Sequence, residues 1–263
     1  DAVLADHRDE EATLSFLHSH VAERGHEAET IPFSVAQIRD LFLSRLVIDY
    51  DHVYCMTITK PRSPIHENAM QASFAILNDS QPVRQAAGHN SPFALRVIDT
   101  QTLFAAQGIT AVEAVRMRAA GANVQHMRTK LEFLASNSHG YMIPRDLYYL
   151  RARARTKGDR SVGLLSAALG SALDIKPVLH GHAGKAEDPT IAGLLTPTVC
   201  MSYGGELPEM RAMPGYTRLR EICANNNVEV FESVMSLTGM VNVGKGAVVV
   251  AFAAEPHTFS VSQ

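Results

Sequence analysis

With 46% hydrophobic and 19% charged residues, a chain of 263 residues can form one large globular domain or, more in keeping with its length, two of ordinary size. Its formal net charge of −3 argues against nucleic-acid binding, which needs a basic surface. No apolar run is long enough to be an integral membrane segment, and no signal-peptide pattern opens the sequence. Three cysteines cannot all pair, and reduced thiols of this kind indicate a cytoplasmic protein.

Strands and helices alternate through the first half. Apolar runs predict buried strands from Tyr50 to Ile58 and from Ala94 to Asp99, with the polar stretch 81–92 as a loop between them. Helical periodicity predicts helices over residues 10–24, after Ser34, after Ser63, and twice between 108 and 136. This alternation is typical of an α/β domain whose mainly parallel sheet is flanked by helices.

The second half shows the same alternation with more strand. A polar stretch at 137–140 is predicted to be a linker, which divides the chain into α/β domains at 1–137 and 138–263. A helix start at DLYYL then runs into a basic loop, RARARTKGDR. Helices are predicted over 162–173 and 207–226, and strands over 176–182, 198–203, 228–234 and 248–253. The second domain is therefore expected to contain a mixed sheet.

The stretch from Thr57 to Ser73 combines a buried strand, terminal hydroxyl groups and a helix start. Ser63 before Pro64 is a typical start for a helix, and Met70, Phe74 and Leu77 predict its apolar face. The serine would stand at the amino end of the helix, where free amides favour an anion. An ordinary capped turn explains the same pattern.

Five segments together resemble the DegV family, the fatty-acid-binding carriers of bacterial fatty-acid kinase systems. They are TIPFS (30–34), RSPIHENA (62–69), VIDTQTLFAAQG (97–108), LYYL with LGSALDIKPVL (147–179), and GMVNVGKGAVVVAF (239–252). The family normally begins with a strand and an Asp-Ser turn, and it continues after the position of Lys185 into a basic helical stretch. Neither pattern occurs here, so this chain is expected to lack both segments.

The resemblance implies that a long-chain fatty acid lies with its tail in an apolar tunnel of the first domain and its carboxylate near the interdomain cleft. Hydroxyl groups, an arginine and a histidine hold the carboxylate in the family. The arginine position depends on how the long basic loop is counted, and the histidine position holds an asparagine, which can donate a hydrogen bond but supplies no charge. The implied ligands of the carboxylate are Ser63, Thr30, Thr59, Arg155, Arg160 and Asn242.

The leading interpretation is therefore a carrier without enzymatic activity, which holds a fatty acid as ligand, needs no cofactor, and presents the lipid to a partner kinase. An alternative is an enzyme that acts on a small phosphorylated or carboxylated metabolite at the domain cleft, using Arg155 and the turn at Gly244. A binding module that has lost its lipid is a third. The pairs His18/His20 and His180/His182 lack a third ligand nearby, so no metal site is expected.

Overall fold

The computed structural model of the protein describes residues 4, 6, 9–157, 179–181 and 192–255. The fold class is α/β, as the sequence predicts: a two-stranded parallel sheet and a six-stranded mixed sheet, with helices packed against both. Of the described residues, none lies in a helix that is long and apolar enough to cross a membrane.

The strands and helices follow one another in chain order. The strands are β1 His52–Thr57, β2 Ala94–Asp99, β3 Ser138–Ile143, β4 Leu179–Gly181, β5 Ala192–Leu194, β6 Thr198–Tyr203, β7 Glu229–Val234 and β8 Val248–Glu255. The helices are α1 Glu10–His18, α2 Val35–Leu41, α3 Val47–Asp49, α4 Ile65–Ala75, α5 Ser80–Ala86, α6 Gln107–Ala119, α7 Val124–Ser136, α8 Leu147–Lys157, α9 Leu207–Arg211, α10 Tyr216–Asn225 and α11 Leu237–Val243. Short 3-10 helices lie at His20–Glu27, Lys60–Arg62 and Phe104–Ala106, and a π-helical turn, Phe42–Leu46, joins α2 to α3.

The first sheet lies between two layers of helices. Strands β1 and β2 pair in parallel, from His52 opposite Ala94 to Thr57 opposite Asp99. On one face, α2, the π-helical turn and α4 enclose an apolar cluster that includes Phe42 and Ile76. The other face meets α6 and α7. Helices therefore cover both faces of this parallel pair, as such sheets require.

The second sheet has the strand order β4-β3-β8-β6-β7, with β5 paired to β8. Strands β6 and β7 are parallel, whereas β8 runs antiparallel to β3, β5 and β6. Helix α6 lies between the two sheets, because Ile109 packs with Cys200 of β6 and Ala253 of β8 in one buried cluster. Leu17 of α1 packs with Met142 of β3. The predicted boundary between residues 137 and 138 stays a prediction.

Several predicted elements are confirmed. The bounds of β2 and β6 match the predicted strands. The capping box before α2 is present: the Gln37 amide donates to Ser34 Oγ at 3.3 Å, and the Ser34 amide donates to Gln37 Oε1 at 2.9 Å. The predicted helix at 162–173 lies outside the described residues.

Two predicted loops are wrong. The stretch 81–92 contains α5, because the buried guanidinium of Arg84 anchors that segment by donating to the carbonyl oxygens of Val47 and Tyr50, both at 2.7 Å. The linker at 137–140 is the start of β3. Its polar side chains are buried because Ser138 Oγ donates to the Leu134 carbonyl at 2.8 Å, and His139 Nε2 lies 3.0 Å from the Ala254 carbonyl oxygen.

The predicted apolar face of α4 and the predicted basic loop are also wrong. Phe74 and Leu77 are 63% and 68% exposed, whereas Ala69 and Ala72 are buried, because small residues face α2 where the helices meet. The basic run continues α8 to Lys157, since alternating Arg and Ala residues are strong helix formers.

Candidate functional site

Buried hydroxyl groups gather at the carboxyl ends of β1 and β2, which is where parallel α/β sheets usually bind ligands. Thr57 Oγ1 lies 2.8 Å from His66 Nδ1, and Thr100 Oγ1 donates to the Thr57 carbonyl at 2.8 Å. Thr102 Oγ1 donates to Thr100 Oγ1 at 3.2 Å. Burial, with the charge of Lys60 as a smaller cause, lowers the pKa of His66. This strand-end cluster therefore holds a neutral imidazole in a hydrogen-bonded network.

Ser63 and Thr59 lie beside the strand-end cluster. Helix α4 begins at Ile65 with Pro64 as its capping residue, one residue later than predicted. The half-buried Ser63 Oγ accepts a hydrogen bond from the Ile65 amide at 3.2 Å. This uses one lone pair, so the hydroxyl keeps its proton for another acceptor. Thr59 is 2% exposed, and its amide donates to the Thr102 carbonyl at 3.1 Å.

Asn242 lies in α11 against α8. Its Nδ2 donates to the Thr238 carbonyl at 2.8 Å, and its Oδ1 accepts from Arg153 Nε at 3.3 Å. The Arg153 side chain is buried and also donates to the Ala28 carbonyl. Burial lowers the pKa of Arg153, although a guanidinium in a protein stays charged. The asparagine at the position that the resemblance gives to a histidine therefore contacts a buried cation, Arg153.

Sequence reasoning selected Arg155 and Arg160 and did not select Arg153. Arg155 is exposed on α8, and Arg160 lies outside the described residues. Leu150, Arg153 and Ala154 are all buried, so they form the inward face of the helix at positions i, i+3 and i+4. Helical periodicity applied to LYYLRARARTK contains this signal, and the prediction of a loop concealed it.

The segment 28–34 connects the Asn242 region to α4. At one end the Ala28 carbonyl accepts from Arg153, and at the other the Phe33 carbonyl accepts from Asn68 Nδ2 of α4 at 2.8 Å. Five residue steps span at most about 18 Å. Thr30 is half-buried between these two contacts. The segment that contains Thr30 thus contacts α8, beside Asn242, at one end and the first turns of α4 at the other.

The turn at Gly244–Gly246 is a tight connection from α11 to β8, as the sequence favours. Gly244 and Gly246 have φ values of +84° and +74°, which L side chains rarely adopt. The Gly244 amide donates to the Met240 carbonyl at 2.7 Å, and the Gly246 amide donates to the Gly204 carbonyl at 2.8 Å. These amides are engaged within the protein, so the turn does not form a phosphate cradle.

Metal-ligating side chains do not cluster in the part of the chain that the structure describes, where no three His, Cys, Asp or Glu residues could hold an ion together. His18 Nε2 instead lies 3.1 Å from Glu206 Oε1 at the surface. The side chains of His20, His180 and His182, the other members of the two histidine pairs, lie outside the described part.

Comparison with known proteins identifies the family. A family model for "Uncharacterised protein, DegV family" matches residues 1–190. A DegV domain-containing protein of Xanthomonas campestris pv. campestris is 70% identical over 280 residues, which cover 99% of this chain and 89% of that relative. The chain belongs to the DegV family. Because that alignment is longer than this DegV chain, the relative contains residues that have no counterpart here.

Solved structures of lipid-binding proteins share the fold. A DegV lipid-binding protein from Thermotoga maritima aligns with a TM-score of 0.66 at 19% identity, covering 96% of this chain and 86% of that one. A stearic acid-binding protein from Eubacterium ventriosum aligns with a TM-score of 0.64 at 19% identity, covering 89% and 82%. At these identities the likeness establishes the fold, in agreement with the two sheets described above.

Proposed function

We propose that this DegV protein binds one long-chain fatty acid and carries it in the cytoplasm, without catalysing a reaction itself. The tail lies against the apolar cluster of the first sheet, and the carboxylate lies at the junction of segment 28–34, α4 and α11. The observation that carries the proposal is the pair of hydrogen bonds by which segment 28–34 joins Arg153 to Asn68. The stearic acid-binding relative of the same fold supports the ligand class.

The space for the tail is proposed between the first sheet and its α2/α4 layer. Cys55 of β1 and Leu95 and Val97 of β2 belong to the apolar cluster on this face, yet each is only partly buried. Burial still raises the pKa of the Cys55 thiol to about 11, so it stays a neutral, apolar wall. Each methylene of a tail buried here contributes about 0.8 kcal/mol, and the tail therefore dominates affinity.

The carboxylate is proposed to bind the hydroxyl groups of Ser63 and Thr30, with Thr59 behind them and the Arg153–Asn242 pair opposite. A hydrogen bond from a neutral hydroxyl to a carboxylate contributes about 1.5–3 kcal/mol. Arg153 replaces Arg155 in this assignment because its guanidinium is buried beside Asn242, whereas Arg155 is exposed. The head group thereby fixes the orientation of the lipid.

Presentation to a partner kinase is the proposed purpose of this orientation. Arg155 is exposed on α8, directly after Ala154 of the buried face. It therefore offers a positive charge at the surface, close in sequence to the buried arginine. An acidic surface on the partner would complement it.

Mass spectrometry of solvent extracts from the purified, denatured protein tests the proposal. We expect a stoichiometric fatty acid. Ser63→Ala should weaken rebinding of that acid about tenfold or more, because one charge-assisted hydrogen bond is lost. Ser73→Ala is the matched control, since Ser73 Oγ bonds only within α4, to the Met70 carbonyl at 2.7 Å.

The same assay separates the carrier from the alternative enzyme. A protein that is empty on purification and binds no fatty acid of any chain length after delipidation would refute the carrier function. Asn242→His, which restores the residue type of the family, should tighten binding as the pH falls and the imidazole becomes charged. If Ser63→Ala and Ser73→Ala bind equally well, the head-group assignment is wrong even if a lipid is present.

A further inference from the structure

A cavity of about 430 Å³ lies between the two sheets, within the range of small-molecule sites of roughly 300–1,000 Å³. Side chains of β6 and β7 form one wall, with Cys200 and Ser202 opposite Phe231 and Ser233 in the parallel register. Phe104 and the first turns of α6 form the other wall. We call this space the inter-sheet cavity. Ser63, Thr30 and Asn242 do not line it, so it is separate from the proposed carboxylate site.

Ser202 is the polar group that distinguishes this cavity. It is 5% exposed, and its Oγ has no hydrogen-bond partner within the described residues. Side chains alternate along a strand, so Ser202 lies on the same face of β6 as Cys200, which packs against α6. Buried hydroxyls in proteins almost always have a partner, and one without a partner beside a cavity calls for an explanation.

The charge of the lining argues against an anion. Among the described residues that line the cavity there is no Lys, Arg or His, whereas the carboxylate residue Glu232 is present. Glu232 is already bonded by the Tyr216 hydroxyl and by Arg211 Nε, the latter at 2.9 Å. Its carboxylate therefore lies on the face of β7 opposite to Phe231 and Ser233 and adds no like charge to the cavity. A carboxylate or phosphate ligand would lose its hydration without meeting a counter-charge among the lining side chains, whereas a neutral ligand needs none.

Phe104 provides a separate indication. Its φ of +51° lies in the left-handed region, which bulky residues rarely adopt. Backbone strain of this kind persists only where the surrounding structure imposes it, and it concentrates at binding sites. Here the strained residue places its aromatic side chain in the cavity wall, opposite the strand that carries Ser202.

We propose that the inter-sheet cavity binds a neutral, largely apolar molecule with one hydroxyl or carbonyl group, for which Ser202 Oγ is the hydrogen-bond partner. Methionine, phenylalanine and alanine side chains of the lining contact the apolar part. The hydroxyl of Ser202 donates to or accepts from the polar group. This second site does not depend on the fatty-acid site. It favours a neutral ligand, whereas the fatty-acid site favours a carboxylate.

The test uses 1-octanol and octanoate, which share a chain and differ in the charge of the head group. The sequence contains no tryptophan, so Phe231→Trp introduces a single fluorescent reporter in the cavity wall. We expect saturable changes of fluorescence with octanol, and at least tenfold weaker changes with octanoate. Calorimetry on the natural sequence checks that the reporter has not created the site. Absence of saturable octanol binding in both measurements overturns the proposal.

Two variants then assign the binding to this cavity. Ser202→Ala should weaken the binding of octanol about fivefold, which is the loss of affinity expected for one neutral hydrogen bond. Ala111→Phe should weaken octanol binding further, because the larger side chain fills the edge of the inter-sheet cavity. Ala111 is exposed, so this substitution should not disturb the fold. Ser63→Ala should leave octanol binding unchanged while weakening fatty acid. If Ser63→Ala weakens octanol as much as Ser202→Ala does, the alcohol occupies the fatty-acid site and the second site is refuted.

Discussion

The buried polar groups of the first sheet and the buried serine of β6 differ in their hydrogen bonding. Arg84, which is 1% exposed, donates to the Val47 and Tyr50 carbonyls, to both oxygens of Ser91 and to Asp51. The strand-end cluster is likewise bonded internally. On β6, in contrast, the buried Ser202 hydroxyl has no partner within the described residues.

This difference distinguishes polar groups that stabilise the fold from a polar group that is available to a ligand. A buried polar group that is bonded within the chain stabilises the fold, and removing it leaves its partners unsatisfied. A buried polar group without a protein partner contributes nothing comparable to stability, and it is free to bond to a molecule outside the chain. Variants that delete each group should therefore divide into large and small effects on stability.

Arg84→Met should have the largest effect. It removes hydrogen bonds from a charged donor to three backbone carbonyl groups, which corresponds to a loss of about 3 kcal/mol or more in the free energy of unfolding. Urea denaturation measures it. Arg39→Met is the control, because the Arg39–Asp79 ion pair is at the surface and such pairs contribute at most about 1 kcal/mol. Equal losses for the two variants would contradict the structural role of Arg84.

Thr57→Val should have the second-largest effect on the free energy of unfolding. The substitution keeps the shape of the side chain but leaves His66 Nδ1 buried without its partner at 2.8 Å, which costs about 1–3 kcal/mol. Thr129→Val on α7 is the matched control, since the exposed Thr129 hydroxyl bonds only to the Gln125 carbonyl. A Thr57→Val protein as stable as its control would show that the strand-end cluster is not a stabilising network.

The sequence predicts the parts of the fold in which local pattern and burial agree. Strands β2 and β6 and the capping box at Ser34 follow directly from apolar runs and residue type. Strand β3 was missed because Ser138 and His139 look polar, and only hydrogen bonds to residues elsewhere in the fold permit their burial. Helix α5 was missed for the same reason, because Arg84 is buried only through its hydrogen bonds to Val47 and Tyr50.

The residues of the candidate site are marked less clearly in the sequence than the fold is. The resemblance selects residues by position, and it chose Arg155 although the inward face of α8 carries Arg153. No local pattern distinguishes Ser202 from other strand serines, because its lack of a partner depends on β7 and α6. Such features depend on contacts between distant segments, which periodicity does not encode.

His66 should make stability depend on pH. Its pKa is lowered in the folded protein, chiefly by burial and then by Lys60, while Asp99 and Glu67 act in the opposite direction. The unfolded chain therefore binds a proton first as the pH falls below about 6.5, so stability is full above that pH and decreases toward the lower folded-state pKa. Urea midpoints from pH 8 to 5 should show this decrease, and His66→Asn should reduce it. The exposed His89→Asn should not.

The smallest effect is expected from Ser202→Ala, and a second serine of the same sheet makes the test quantitative. Ser138 on β3 and Ser202 on β6 are both buried, but Ser138 Oγ donates to the Leu134 carbonyl at 2.8 Å. Ser138→Ala should therefore cost about 0.5–1.5 kcal/mol in the free energy of unfolding. Ser202→Ala should cost close to nothing in the ligand-free protein, because no protein hydrogen bond is lost. With octanol present, the two variants should lose similar amounts of free energy of unfolding, because Ser202 then has a hydrogen-bond partner that the substitution removes. Equal losses without ligand would mean that Ser202 is bonded within the protein, which removes the physical basis for a second site.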